Sequence, residues 1–315
     1  MVWARDILSQ LYHAPKLTGF DVVQIMTPKF FNWKIQGAML RFLKRHNRKL
    51  VVIDTACTSD YHRRVKQLRH SACKQCLFHD FKAERCIYDT PDEQRAEHLS
   101  LDAADAVVVT HFEYLWSLGD TRFADKLAGI SLPIDIERHQ PSPMPPIDKI
   151  RIWYGETRHG FKGGPFIVEA LDRLAASELA DRVEIVRTGR LPYDEYLSMI
   201  DSVHVVVDQA SAYSVGMNAL YALARGRVTL SGAEPEALEF IGVGTDENPV
   251  IAIRPDADQI YDALAGLVER KAELPELGRR SAAYVAKYHA ADVIARQYEA
   301  LYARLLEPVA ARLPT

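Results

Sequence analysis

The chain has 315 residues, 48% of them hydrophobic and 26% charged, a globular composition that excludes extensive disorder and allows two domains. No apolar run approaches the roughly 20 residues of a membrane-spanning helix, and the first six residues lack the basic-then-apolar layout of a signal peptide. We therefore expect a cytoplasmic protein.

The net charge is −3, but it is unevenly distributed. Residues 1–100 hold 17 Lys and Arg against 10 Asp and Glu, which leaves 22 against 32 for the rest, or a net charge of about +7 against −10. A basic first part indicates an anionic partner: a membrane surface that the protein touches peripherally, a lipid-linked acceptor or a nucleic acid. A solvated charged face would account for the same charge.

The first half alternates strand and helix patterns. Apolar runs predict strands at 21–26, 50–53 and 106–109, and apolar residues at helical spacing predict helices at 34–47 and near 93–102. Such alternation is typical of βαβ units in a parallel sheet. We predict a Rossmann-like first domain over 1–135.

A cysteine-rich insertion at about 57–90 interrupts this pattern. Cys73, Cys76 and Cys86 have the spacing Cys-x2-Cys-x9-Cys, with Cys57, His70 and His79 nearby. One hypothesis is a structural zinc ion bound by Cys73, Cys76, Cys86 and His79, with His70 or Cys57 as alternative fourth ligands. The other is buried or incidental thiols. No motif of a zinc hydrolase occurs here.

Five prolines in residues 133–146 cannot continue a helix or a central strand. We predict a hinge at 136–148, followed by a second domain over 149–290. There, strands are predicted at 149–153, 183–186, 203–207 and 228–230, with helices opening near 166 and covering 217–224. The tail at 282–306 predicts one amphipathic helix.

Two loops of the second half each lie between a strand and a helix, where amide groups and the helix dipole favour phosphate. The first, residues 155–164, offers Arg158 and Lys162 among glycines that include Gly155 and Gly163. The second, residues 208–218, contains Asp208, small residues and Gly216. A solvated glycine-rich turn and an Asp or Ser helix cap are the structural alternatives.

These loops, in this order, resemble glycosyltransferase family four and its capsule and surface-glycan relatives. The likeness rests on Arg158, Lys162 and Gly163, on residues 189–195, on the run from Asp208-Gln209 through Gly216 to Gly226, and on the tail 288–302. It implies a GT-B fold: α/β, with two Rossmann-like domains whose parallel sheets face each other across a cleft, and a C-terminal helix, 291–315, that crosses back to the first domain.

The family also implies an activity, namely retaining transfer of a hexosyl or related group from a UDP- or GDP-sugar without an essential catalytic metal. Carried over by position, Arg158 and Lys162 would bind the diphosphate, and Arg190 and Leu191 would border the base. Phosphate and sugar would face Ser214, Val215, Gly216, Met217 and Asn218. The acceptor would be a glycan, a lipid-linked molecule or another anionic compound, and surface polysaccharide synthesis the expected setting.

The chain departs from the family at several positions. Tyr213 and Tyr221 stand where glutamates are usual, and the second glutamate normally accepts hydrogen bonds from the ribose. A tyrosine cannot supply a bidentate anionic acceptor. Either another acid substitutes, namely Asp208, Glu234, Glu236 or Glu239, or donor binding is altered or lost. In the first domain Cys57 replaces a histidine, so that Asp60 or His62 would orient an acceptor hydroxyl, unless the segment is only a capped helix start.

Three hypotheses follow. The chain is a glycosyltransferase with a basic, acceptor-binding first domain, a GT-B-shaped partner or regulatory subunit without activity, or a glycosyltransferase that acts on nucleic acid.

Overall fold

The computed structural model describes residues 2–55, 57–74, 76, 79–80, 85–86, 88–156 and 160–308. The chain forms two compact units. Unit 1 comprises Met1–Val65, Phe78–Ser131 and Ala295–Thr315, and unit 2 comprises Lys66–Leu77 and Leu132–Ile294. The domain boundaries predicted from the sequence remain a prediction.

Unit 1 combines a parallel β-sheet with helices. Its elements are α1 (Val2–His13), β1 (Val22–Ile25), α2 (Gln36–His46), β2 (Lys49–Asp54), α3 (Ser59–Arg64), β3 (His79–Asp80), β4 (Arg85–Cys86), α4 (Pro91–Ala103), β5 (Ala106–Val109), α5 (Phe112–Leu118) and β6 (Leu127–Gly129). The strands pair in parallel in the order β1-β2-β5-β6, and β3 and β4 form a separate antiparallel ribbon. Val51, Val52, Val107 and Val108 are fully buried, as expected for strands covered on both faces.

Unit 2 holds a second parallel sheet. Its elements are β7 (Ile150–Gly155), α6 (Gly164–Ala175), β8 (Val183–Thr188), α7 (Tyr193–Ser202), β9 (Val205–Val207), α8 (Met217–Ala224), β10 (Val228–Ser231), α9 (Pro235–Ile241), β11 (Ile251–Ala252), α10 (Ala257–Glu269) and α11 (Leu274–Tyr288). The strand order is β11-β10-β9-β7-β8. Since the chain runs from β7 outwards to β8 and then back past β7 to β9, the topology reverses between β7 and β9. In doubly wound sheets, ligands bind at such a switch point.

The tail forms two helices where the sequence predicted one. A final helix, α12 (Ala291–Leu306), follows α11 after a break at His289 and Ala290. The His289 carbonyl accepts from the Ile134 amide at 2.7 Å, and the Ala291 amide donates to the Ile134 carbonyl at 2.9 Å. The prediction of a continuous helix was wrong because these backbone groups pair with a segment more than 150 residues away.

Across the described residues, no helix combines the length and the apolar character needed to cross a bilayer.

Candidate functional site

The switch point of unit 2 brings together one residue from each of the two predicted loops. Lys162 lies in the loop after β7 and Asp208 follows β9 directly, so both lie at the carboxyl edge of the sheet. The Lys162 Nζ donates to Asp208 Oδ1 at 2.5 Å. The Asp208 side chain is fully buried, whereas that of Lys162 keeps 17% of its surface exposed. The ammonium group is therefore fixed at the edge by a buried carboxylate, on a side chain that is partly exposed.

Asp208 is held by a wider network. Asn218 Nδ2 donates to its Oδ1 at 2.9 Å and the Ser231 hydroxyl donates to its Oδ2 at 3.3 Å. Tyr196 in turn donates its hydroxyl proton to Asn218 Oδ1 at 2.6 Å. Burial, with the negative charge of Asp208 as a second cause, raises the pKa of Tyr196, so its hydroxyl remains a proton donor at neutral pH. This network connects Lys162, Asp208 and Asn218, three of the residues predicted from the sequence.

Two helices begin at this edge. Gly163 precedes α6 with φ of 80°, and Gly216 precedes α8 in an extended conformation. A Cβ at Gly216 would lie 3.7 Å from Asp208 Oδ2, so the α8 N-terminus adjoins the carboxylate that binds Lys162. In α8 the first intrahelical bond starts at the Leu220 amide, so the preceding first-turn amides can bind an anion. In α6, Pro165 has no N–H and the Phe166 amide already donates to the Gly163 carbonyl at 3.2 Å.

Gly163 is required at its position, which gives a test of the local geometry. A Cβ there would lie 2.9 Å from Ser211 Oγ and 3.0 Å from the Ala210 Cβ, in a backbone conformation that L side chains rarely adopt. We expect Gly163→Ala to lower the free energy of unfolding by about 1–3 kcal/mol, measured by urea denaturation. Gly266→Ala is the matched control, because Gly266 lies inside α10 with open space around it and alanine favours a helix by about 0.5–1 kcal/mol. Equal effects of the two substitutions would contradict the prediction.

The other residues predicted around the switch point occupy different surroundings. Ser214 and Val215 are buried, and the Ser214 carbonyl accepts from Gln209 Nε2 at 2.9 Å. Met217 packs partly buried against the core cluster that contains Val215. Gly155 ends β7. Arg158, predicted to bind the diphosphate with Lys162, lies outside the described residues.

Tyr213 is covered by an early segment of the chain. Its ring is 1% exposed and stacks on His70, with centroids 4.7 Å apart and planes at 26°. The Arg69 amide donates to the Tyr213 hydroxyl at 3.0 Å, and the Arg69 guanidinium lies 5.1 Å from the ring centroid. The segment Lys66–Leu77 thus belongs to unit 2, and Tyr213 contributes to holding it there.

Among the acids considered as substitutes for the missing glutamates, Glu234 and Glu236 are bound by arginines. Glu234, 1% exposed, accepts from Arg254 Nε and Nη2 at 2.6 and 2.9 Å and from Arg69 Nη2 at 2.8 Å. Glu236 accepts from Arg69 Nη1 and Nη2 at 2.8 and 3.0 Å. Glu239 is exposed on α9. The carboxylates of Glu234 and Glu236 are therefore both engaged in ion pairs with arginines.

Tyr221 lies in an aromatic cluster. Its ring packs edge-on against His139 at 4.7 Å and lies 6.0 and 6.5 Å from the rings of Tyr196 and Tyr193. Burial raises the pKa of Tyr221. The predicted base-bordering residues lie in the loop from β8 to α7. Leu191 packs, like Tyr196 and Tyr221, against the apolar cluster that contains Trp153, and Arg190 is exposed. The structure thus separates Tyr213 from Tyr221, since one holds the early segment and the other joins the aromatic cluster.

In unit 1, the predicted Asp60 and His62 both lie on α3, and each pairs with a residue outside that helix. Asp60 Oδ2 pairs with His98 Nε2 at 2.8 Å. His62, 5% exposed, lies with its Nε2 3.9 Å from Asp89 Oδ2. His98 was missed by the sequence analysis, because nothing in the sequence links α3 to α4.

Two buried acids next to Asp60 were also missed. Asp54, at the end of β2, and Glu97, on α4, are both 0% exposed. Both oxygens of Asp54 and Oε1 of Glu97 have no hydrogen-bond partner among the described residues. Burial, reinforced by the neighbouring acids, raises the pKa of Asp54, and burial together with Asp60 raises that of Glu97 to about 7. For Asp54, the available signal in the sequence was a charged residue directly after an apolar run.

The predicted zinc site finds no support. In the part of the chain that the structure describes, no group of three or more His, Cys, Asp or Glu could hold a metal ion. Cys57, Cys73, Cys76 and Cys86 form no disulfide bonds. The side chain of His79 lies outside the described residues.

Comparison with known proteins identifies the fold. Sucrose-phosphate synthase from Thermosynechococcus elongatus superposes with a TM-score of 0.64 at 18% identity, covering 94% of this chain and 76% of the other. Trehalose-6-phosphate synthase OtsA gives 0.63 at 12% identity, with 98% and 77% covered. Anabaena HepE in complex with UDP gives 0.59 at 12% identity, with 96% and 82% covered, and a further HepE structure contains UDP-glucose.

The fold is GT-B. The predicted fold class, α/β with two parallel sheets, is thereby confirmed. No family model matches the chain, and no curated protein matches it either. The resemblance to glycosyltransferase family four and to its capsule and surface-glycan branch therefore rests on the sequence motifs alone.

Proposed function

We propose that the chain is a glycosyltransferase that takes its sugar from a nucleoside-diphosphate sugar bound in unit 2. The observation that carries the proposal is the Lys162 ammonium, fixed by buried Asp208 at the switch point beside the N-termini of α6 and α8. A diphosphate leaving group is stabilised by such a cation and by helix amides, which need not reorganise during the reaction. The solved complexes of HepE with UDP and UDP-glucose, which share the GT-B fold, support this choice of donor.

The finer assignments follow from the family resemblance. Transfer would retain the anomeric configuration, and hexoses would be the transferred sugars. Unit 1, which contains most of the basic first 100 residues, would receive a glycan, a lipid-linked or another anionic acceptor, with peripheral contact to an anionic membrane. Asp60, paired with His98, would orient the acceptor hydroxyl.

Calorimetric titration with UDP, GDP, UDP-glucose and GDP-mannose tests the donor. We expect one nucleotide series to bind with a dissociation constant in the micromolar to millimolar range, typical of enzyme substrates. Absence of heat with all four ligands would contradict the proposal.

A second candidate function is a partner or regulatory subunit that shares the fold without transferring sugar. The observation that favours it is the coverage of Tyr213 by His70 and Arg69, since the chain's own segment lies where the family places a glutamate. Tight binding of a nucleotide sugar without turnover, with any acceptor class, would be the signature of this alternative.

A further inference from the structure

A cavity opens at the carboxyl ends of β7 and β8, next to the switch point. Its volume is about 260 Å³, and it is lined by Tyr154, Glu156, Val168, Arg187, Thr188 and Gly189. Pockets that enclose a whole drug-sized ligand are larger, roughly 300–1,000 Å³. The cavity therefore suits one ring of a larger ligand.

The hydroxyl of Tyr154 lacks a partner in this cavity. Tyr154 is 2% exposed, and its hydroxyl has no hydrogen-bond partner in the described part of the chain. Burial, with Glu156 and Asp208 as further causes, raises the pKa of Tyr154. An unpaired buried hydroxyl costs stability, whereas a phenylalanine would fill the same space without that cost. This points to a ligand that completes the hydrogen bond.

Glu156 supplies a carboxylate at the same place. A Cβ at Gly164, in the first turn of α6, would lie 2.7 Å from Glu156 Oε1 and 2.9 Å from the Tyr154 hydroxyl. The carboxylate and the hydroxyl therefore approach the same glycine. The cavity's cation is engaged elsewhere, because Arg187 Nη2 donates to Asp172 Oδ1 at 2.6 Å. A carboxylate and a phenol favour neutral hydroxyl groups over phosphate as ligands.

The position of the cavity identifies those hydroxyl groups. Gly189, on its rim, directly precedes Arg190 and Leu191, which are predicted to border the base, whereas Lys162 would bind the diphosphate. In any nucleoside diphosphate the ribose connects the base to the diphosphate. We propose that this cavity receives the ribose of the donor nucleotide, with Glu156 accepting from its hydroxyls and Tyr154 completing the contact. The inference rests on the proposed function.

This assignment accounts for the tyrosine at position 221. At position 221 the chain has a tyrosine in place of the second family glutamate, and a tyrosine cannot act as a bidentate anionic acceptor. Glu156 provides a carboxylate from a different loop, which the sequence alone did not single out.

Discrimination between ribose and deoxyribose tests the role of Glu156. With wild-type protein, we expect calorimetry to show UDP binding roughly tenfold more tightly than 2′-deoxy-UDP, since a hydrogen bond to a charged group is lost. Glu156→Gln should reduce that ratio to about twofold or threefold. Glu169→Gln, an exposed glutamate on α6, is the matched control and should keep the wild-type ratio. If GDP is the nucleotide that binds, GDP and 2′-deoxy-GDP replace the pair.

Tyr154→Phe separates a binding role from a structural one. Removing an unpaired buried hydroxyl should leave the melting temperature of the ligand-free protein unchanged or raised, while nucleotide affinity falls several-fold. An unchanged ribose-to-deoxyribose ratio in Glu156→Gln, or unchanged affinity in Tyr154→Phe, overturns the ribose assignment alone. Failure of wild-type protein to bind any nucleotide overturns the proposed function together with it.

Discussion

Replacing Lys162 with methionine is expected to lower kcat/KM for sugar transfer by about 10²–10³, the usual cost of losing one preorganised group that stabilises developing charge. The physical reason is that the leaving diphosphate gains negative charge in the transition state. Lys162 is predicted to neutralise this charge, and its ammonium group lies at the switch point. The measurement is steady-state turnover of the donor, with Lys162→Arg as the charge-preserving comparison.

Lys162→Met also unpairs a buried carboxylate, so stability must be separated from chemistry. Breaking a buried ion pair typically costs about 3–5 kcal/mol. Asn218 and Ser231 still donate to Asp208, so we expect the lower end of that range. In the double variant Lys162→Met/Asp208→Asn no buried charge is left unpaired, and stability should return to within about 1 kcal/mol of wild type. Turnover should stay low. Recovery of turnover in this stable double variant would rule out a role for the Lys162 charge.

Arg227→Met should produce the largest loss of stability, about 3–5 kcal/mol, seen as a melting temperature lower by on the order of 10 °C. Arg227 is 0% exposed. It donates to the Ile200 carbonyl at 2.9 Å, to the Ser142 hydroxyl at 2.5 Å and to the Pro143 carbonyl at 3.3 Å. The substitution removes these bonds from a fully buried guanidinium, and hydrogen bonds to a charged group contribute more than neutral ones, about 1.5–3 kcal/mol each.

Arg182→Met is the control for this effect. Arg182 pairs with Glu269 at 2.6 Å through a side chain that is 42% exposed, and such pairs contribute about 0–1 kcal/mol. Similar melting temperatures for the two variants would show that the buried guanidinium does not hold the proline-rich segment to the sheet.

Local pattern was sufficient for the central strands of both sheets and for several helices. The apolar run at 106–109 coincides with β5, and the pattern at 217–224 coincides with α8. The run at 183–186 falls within β8 but ends two residues early. The short strands β6 and β11 were missed because three and two residues carry too little periodicity to be recognised. These three strands lie at the sheet edges, where pairing partners define the strand.

The sequence predicted only in part which residues lie close together across the sheet. The order of strand, glycine-rich loop and helix determined that Lys162 and Asp208 lie at one edge of a parallel sheet, because every carboxyl end in such a sheet points the same way. Their ion pair, the anchoring of Asn218 by Tyr196, and the stacking of Tyr213 on His70 depend on side chains from loops distant in sequence. The same holds for Glu156 and Tyr154, which meet Gly164 only after α6 packs on the sheet. Sequence by itself determined the alternation of elements and the edge at which doubly wound sheets bind ligands, since both follow from short-range periodicity and chain direction. Tertiary structure decided which polar groups are paired with one another, since burial and hydrogen bonding are set by contacts across the whole unit.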